Sequence, residues 1–151
     1  MDAAGGRIGA AFERAPLLVE RLRGRVADGD DADAIMRTAW ALIRDMDEAQ
    51  RIAILDAHPR IGAAPATLSA LSRAEQGSDA DTTVLRELET LNDEYERRFG
   101  FRFVVFVHGR SKREIVSILR ARLGRPRDVE LAAALEEFLA ISRDRLTRVS
   151  C

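Results

Sequence analysis

The sequence predicts an all-α fold, a single-domain compact bundle of about seven to eight helices spanning residues 1–151. Three observations carry that expectation. Apolar residues return with a 3.6-residue period over most of the chain. Helix-start signatures, an Asp or Ser followed three residues later by Glu or Gln, stand directly ahead of several of those runs. The one stretch with strand-like composition, 101–107, has no partner strand elsewhere in the sequence. With 151 residues, 46% hydrophobic and 32% charged, the chain has the balance of a globular domain. It is long enough to bury about two-thirds of the surface an unfolded chain exposes.

Two short helical elements open the fold: a turn carrying Phe12, then a helix that Pro16 suits at its first position and that carries Leu17, Leu18, Val19 and Leu22. An acidic, glycine-containing loop at 27–33 precedes a helix capped by Asp31, with Ile35, Met36, Ala39, Trp40 and Ile43 in period. Asp47 with Gln50 has the form of a capping box for a helix carrying Ile52, Ala53, Leu55 and Ala57; Pro59 forbids its comfortable continuation. Residues 60–81, with Gly62, Pro65 and Gly77, read as irregular backbone with short helical turns at most. A long helix follows, with Leu85, Leu88, Leu91, Tyr95 and Phe99 in register and Gly100 as a left-handed stop.

The run 101–107 is rich in β-branched and aromatic residues, yet an isolated strand leaves half its backbone groups unpaired. It therefore reads as a buried extended segment or a distorted helix start. Ser111 with Glu114 caps the next helix, which carries Ile115, Ile118, Leu119 and Leu123 and ends at Gly124. Asp128 opens the last, with Leu131, Leu135, Phe138, Leu139 and Leu146.

Composition excludes several function classes. The 24 basic and 25 acidic residues leave a net charge of -1, so no global field draws nucleic acid. No stretch approaches the roughly 18 apolar residues of a membrane span, no secretory leader is visible, and the Val149-Ser150-Cys151 ending is not the Ser-Lys-Leu peroxisomal address. The lone Cys151 forms no internal disulfide, and cytoplasm is the default compartment. Two histidines and one terminal cysteine make no usual zinc site, and no glycine-rich loop follows a strand, so neither metal nor nucleotide cofactor is expected.

Catalysis is left to imidazole, carboxylate and amide groups. His58-Pro59 places an imidazole at a helix end with its exit direction fixed by proline, although such a histidine can also simply bind the last helix carbonyls. Ser72-Arg73-Ala74-Glu75-Gln76 is a plain capping box, or alternatively a hydroxyl, carboxylate and amide offered from one turn to a small polar heterocycle. Arg143, Arg145 and Arg148 share the final helix, where a solvated face explains most arginines; Arg145 is the exception to test. Phe101, Phe103 and Phe106 read first as core, and as site residues too if the extended backbone borders a pocket.

The ordered set of motifs resembles the OHCU decarboxylase family, where OHCU is 2-oxo-4-hydroxy-4-carboxy-5-ureidoimidazoline. The resemblance runs from Phe12 and Pro16 to Leu146. It includes Ala57-His58-Pro59-Arg60-Ile61-Gly62, Ser72-x-x-Glu75-Gln76 and Leu91-Asn92-x-x-Tyr95-x-x-x-Phe99-Gly100-Phe101-x-Phe103. It continues through Lys112 and Arg122-Leu123-Gly124 to Ile141-x-x-x-Arg145-Leu146.

The resemblance implies an all-helical, OHCU decarboxylase-like domain, commonly a homodimer, that decarboxylates OHCU to (S)-allantoin in urate breakdown without a cofactor. It implies His58 as catalytic histidine and Glu75 as its paired carboxylate, with Pro59, Ser72, Gln76 and Arg145 around the ligand. It also implies that the backbone and side chains of Phe103, Val104, Val105, Phe106 and Val107 form the opposite wall. Two departures stand out: Gly77-Ser78-Asp79-Ala80-Asp81 where the family has an Ala-Gly-Leu-like stretch, and Arg125 where it often has asparagine. Neither removes a proposed catalytic group. Two other readings remain open: a non-catalytic helical interaction module presenting the exposed arginines and 101–107 to a partner, and a decarboxylase of a related ureido or imidazolone acid.

Overall fold

In the computed structural model, which describes residues 3–62 and 82–149, every regular element is helical. Seven helices are present among the described residues: α1 (Ala3–Ala11), α2 (Pro16–Arg23), α3 (Ala32–Arg44), α4 (Glu48–Asp56), α5 (Thr82–Phe99), α6 (Lys112–Leu123) and α7 (Arg127–Val149). The all-α expectation is borne out. The chain forms two compact units, one of residues 1–57 and 136–151 and the other of residues 58–135, with α7 contributing to both.

The first unit is built on short amphipathic helices whose starts are encoded locally. Pro16 stands at the first turn of α2, where its missing N–H would have had no helical partner anyway. Asp31 caps α3 by accepting from the Ala34 N–H at 2.8 Å. Asp47 and Gln50 form the expected reciprocal capping box at α4. The Arg51 side chain then reaches back to the carbonyls of Ile43 and Arg44, at 3.0 and 2.6 Å, placing a cationic donor at the C-terminal end of α3. Phe12, Leu18, Leu22, Ile35, Leu42, Ile43 and Phe138 are buried here. The rings of Phe12 and Phe138 meet at 6.1 Å between centroids. Phe12 stands in the turn between α1 and α2, as expected, and both opening elements are short helices.

The second unit packs α5 against α6. Val84, Leu88, Leu91, Tyr95 and Phe99 form the buried stripe of α5, and Gly100, at φ +80°, ends the helix in the left-handed region as expected. The chain then runs extended over 102–107 with no strand partner among the described residues. Of the two conformations expected for this run, the buried extended one is therefore adopted. It closes in a tight turn: His108 and Gly109 both have positive φ, and the Arg110 N–H donates to the Val107 carbonyl at 3.0 Å. Ser111 and Glu114 make the second capping box, at the start of α6. The last helix begins at Arg127, one residue before its expected start. Asp128 thus lies within the first turn, where a carboxylate still favours the positive end of the helix dipole.

Candidate functional site

The site begins where α4 stops. Ala57 is the C-cap, His58 and Pro59 lie outside the helix, and the His58 side chain is buried. Three long-range interactions fix residues 58–62. The Arg102 Nη1 donates to the His58 carbonyl at 2.6 Å. Arg60 pairs with Glu96 at 2.6 Å and with Asp93 at 2.9 Å on α5. The fully buried Asn92 amide donates to the Ile61 carbonyl at 3.2 Å and the Leu88 carbonyl at 2.9 Å. The hydrogen bond to Glu96 is the main reason the Arg60 guanidinium is held above its ordinary pKa, with burial opposing it. Gly62 completes the segment at φ +86°, where an added Cβ would come 3.3 Å from the Leu88 Cδ1. A turn that left-handed and that close to a helix suits glycine. Charge and amide contacts thus strap the histidine-bearing segment to α5 and to the start of the extended run.

The extended run is held from behind by buried polar groups. Arg122 on α6 donates through Nη1 to the Val104 carbonyl at 2.8 Å and through Nε to Glu130. Tyr95 donates its phenol to the same Glu130 at 2.6 Å. Burial, and then the hydrogen bond to Glu130, push the Tyr95 phenol far above its ordinary pKa, with Arg122 pulling the other way. The phenol therefore remains a donor. The Arg122 guanidinium also lies 4.6 Å from the Phe103 ring centroid, a cation over an aromatic face in a dry setting. Tyr95, Phe99, Phe101 and Phe103 form one aromatic cluster, the Tyr95 and Phe103 rings meeting edge to face at 5.2 Å.

His58, Pro59 and the wall residues Phe103, Val104, Val105, Phe106 and Val107 belong to the same unit, and Arg102 bridges the two stretches. Phe103, Val104, Val105 and Val107 are buried, whereas Phe106 is half-buried with its ring 4.9 Å from that of His108. Arg145 lies in the other unit on α7. It is only 2% exposed, which sets it apart from its exposed neighbours Arg143 and Arg148 and removes the solvated-face reading for it. Ser72, Glu75 and Gln76 lie outside the described residues. A cavity of about 360 Å³ opens beside the strap, lined by Arg60, Ile61 and Gly62 and by Leu85, Arg86, Glu89 and Asn92 of α5. His58 does not line it.

Sequence reasoning overlooked Arg102, Asn92 and the Arg122–Glu130 pair as positioning groups. A signal was present for three of them. Asn92 falls on the buried stripe one turn after Leu88, Arg122 falls three residues after Leu119 on the stripe of α6, and Glu130 adjoins the buried Leu131. Polar residues in apolar phase require a buried partner. For Arg102, inside an extended run, no comparable periodic signal exists. Chemically, a buried imidazole whose backbone is held in place is a group suited to proton delivery in a setting that excludes water.

The family model described as OHCU decarboxylase matches residues 2–147. A 2-oxo-4-hydroxy-4-carboxy-5-ureidoimidazoline decarboxylase of Haloferax volcanii is 30% identical over 144 residues, covering 91% of this chain and 83% of that protein. The uric acid degradation bifunctional protein PucL of Bacillus subtilis is 28% identical over 145 residues; the match takes in 94% of this chain but only 29% of PucL. Among solved structures, an OHCU decarboxylase crystallised in the presence of (S)-allantoin superposes with a TM-score of 0.76 at 20% identity, covering 93% of this chain and 94% of that one. At that identity the superposition speaks for the fold.

Proposed function

The chain belongs to the OHCU decarboxylase family, and we propose that residues 1–151 act as a single OHCU decarboxylase-like domain, converting OHCU to (S)-allantoin in urate degradation. The observation that carries this reading is the fixed relation of the His58 backbone to the extended run. The His58 carbonyl is held by Arg102, the residue that opens that run, while Arg60 and Asn92 strap the following residues to α5. A catalytic group must be held this way, since misplacement of a reacting group by about 1 Å can cost on the order of a hundredfold in rate.

In the proposed reaction the bond between the ring carbon and its carboxylate breaks and carbon dioxide leaves. The electron pair passes into the adjacent ring carbon–nitrogen double bond. That bond is the electron sink, so the chemistry requires neither metal nor cofactor. His58 delivers a proton to one face of the resulting anion, and one enantiomer of allantoin follows. Glu75 bonds the substrate hydroxyl or ureido group and sets the protonation of the histidine. Ser72 and Gln76 read the ring's amide edges, Pro59 fixes the imidazole's exit, and Arg145 offsets substrate charge as a planar fork. The backbone of 103–107 forms the opposing wall. The burial of Arg145 supports a role beyond surface solvation.

A homodimer and a cytoplasmic setting complete the reading. The homodimer rests on the family resemblance and the setting on the lone Cys151, which suits a reducing compartment. The interaction-module alternative loses support because Phe101, Phe103, Val104, Val105 and Val107 are buried rather than offered to a partner. The test compares OHCU turnover by wild type, His58→Asn and Glu75→Ala, each checked for native helicity and melting. Both variants should remain folded and lose roughly a hundredfold or more in kcat. Folded variants that keep wild-type turnover would remove these groups from the chemistry.

A further inference from the structure

Resting on the decarboxylase reading, we infer that Arg122 is a positioning residue for the reaction. Held by Glu130 and Tyr95, it fixes the Val104 carbonyl and so sets the direction in which the backbone groups of Phe103 and Val105 face the substrate. The extended run is the one buried stretch among the described residues whose backbone has neither helix nor strand to satisfy it. Buried peptide groups must find partners. In an extended chain the N–H and C=O of one residue point to the same side, and those of its neighbours point to the opposite side. Arg122 takes the Val104 carbonyl at 2.8 Å from the α6 side. With the Val104 carbonyl held there, alternation along an extended backbone directs the peptide groups of Phe103 and Val105 to the side away from α6, the side on which we infer that they bond the polar edges of a small heterocycle.

Stability alone does not account for the arrangement. Arg122 is 4% exposed and Glu130 is fully buried. Burying two charges costs several kcal/mol, and apolar residues of similar volume often serve stability as well or better. What apolar residues lack is a directional donor. A guanidinium can bond Glu130 through Nε and the Val104 carbonyl through Nη1 at once, with its plane over Phe103. A lysine ammonium is a single point donor on a flexible stem and does not reproduce that fork. The Tyr95 phenol, at 2.6 Å from Glu130, holds the carboxylate from the opposite helix.

The experiment uses the full chain carrying Arg122→Lys and, separately, Arg122→Met combined with Glu130→Gln. The double variant leaves no unpaired buried charge and keeps an acceptor for Tyr95, so it remains foldable if the lysine variant does not. Two readouts are taken on cooperatively melting protein: amide hydrogen exchange at Val104, Val105 and Phe106, and kcat with KM for OHCU. Exchange at these amides should accelerate about tenfold or more. Turnover should fall about tenfold or more with KM changed less than about threefold, the mark of lost orientation rather than lost binding. Unchanged exchange along the run, or kcat within about twofold of wild type in a folded variant, overturns the inference. A wild-type protein that does not process OHCU overturns the decarboxylase reading instead, and with it the catalytic part of the role. The exchange contrast then still decides whether Arg122 anchors the run.

Discussion

Two arginines hold two non-helical stretches of the second unit, and they do so in opposite surroundings. Arg60 straps the segment after His58 to α5 with its side chain 31% exposed, against Glu96 at 27% and Asp93 at 53%. Arg122 holds the extended run with its side chain 4% exposed, against a Glu130 that is fully buried. Both pairs share chemistry, and solvent decides how much each contributes. In the first, water screens the charges and can replace either partner. In the second, removal of one partner leaves the other charged and dry. A strap that water can relax lies next to the proposed acid, and a rigid anchor lies behind the proposed wall.

The largest effect should come from breaking the buried cluster on one side only. Glu130→Ala strands the Arg122 charge and the Tyr95 hydroxyl together, and should cost about 3–5 kcal/mol in urea denaturation. A loss below about 1 kcal/mol would show that water reaches the cluster and would erase the contrast with Arg60.

Next comes a pH effect confined to the same cluster. The folded Tyr95 pKa is raised above its unfolded value, chiefly by burial. Its contribution to stability is thus fully present below the unfolded value of about 10 and is lost as pH climbs above that point. Tyr95→Phe should lower stability at neutral pH by about 1 kcal/mol and flatten the decline between roughly pH 10 and 11.5. An equally steep decline in Tyr95→Phe would assign the alkaline sensitivity to other groups.

The smallest effect on stability belongs to the strap. Arg60→Ala should cost no more than about 1 kcal/mol, less still in high salt, since Arg60, Glu96 and Asp93 are all partly exposed. Its consequence should appear in catalysis, as a severalfold fall in kcat/KM for OHCU, because the backbone that carries His58 loses one of its ties. An Arg60→Ala protein with unchanged kcat/KM would leave positioning to Arg102 and Asn92 alone.

Much of the fold was legible because its instructions are local. Asp31, the Asp47 and Gln50 pair, and the Ser111 and Glu114 pair each act across three residues, and Gly100 acts through its own φ. The extended run was legible from composition together with the absence of a partner. The start of α7 was displaced by one residue, since a carboxylate favours the first turn as well as the cap and sequence alone does not separate the two.

The site was less legible because its positioning contacts are distant in sequence. Arg102 reaches the carbonyl of His58 across 44 positions, Arg60 reaches Glu96 across 36, and Asn92 reaches Ile61 across 31. No spacing rule anticipates such pairs. Only the burial of Asn92, Arg122 and Glu130 could have been read in advance, from polar residues standing in apolar phase.

The most direct measurement generates OHCU freshly from urate, adds the protein, and follows allantoin by circular dichroism against the spontaneous decay. Wild type should accelerate the appearance of (S)-allantoin as a single enantiomer, and folded His58→Asn should return both rate and optical signal to the uncatalysed course. Allantoin without optical activity, formed at the spontaneous rate in the presence of folded wild-type protein, would contradict the account.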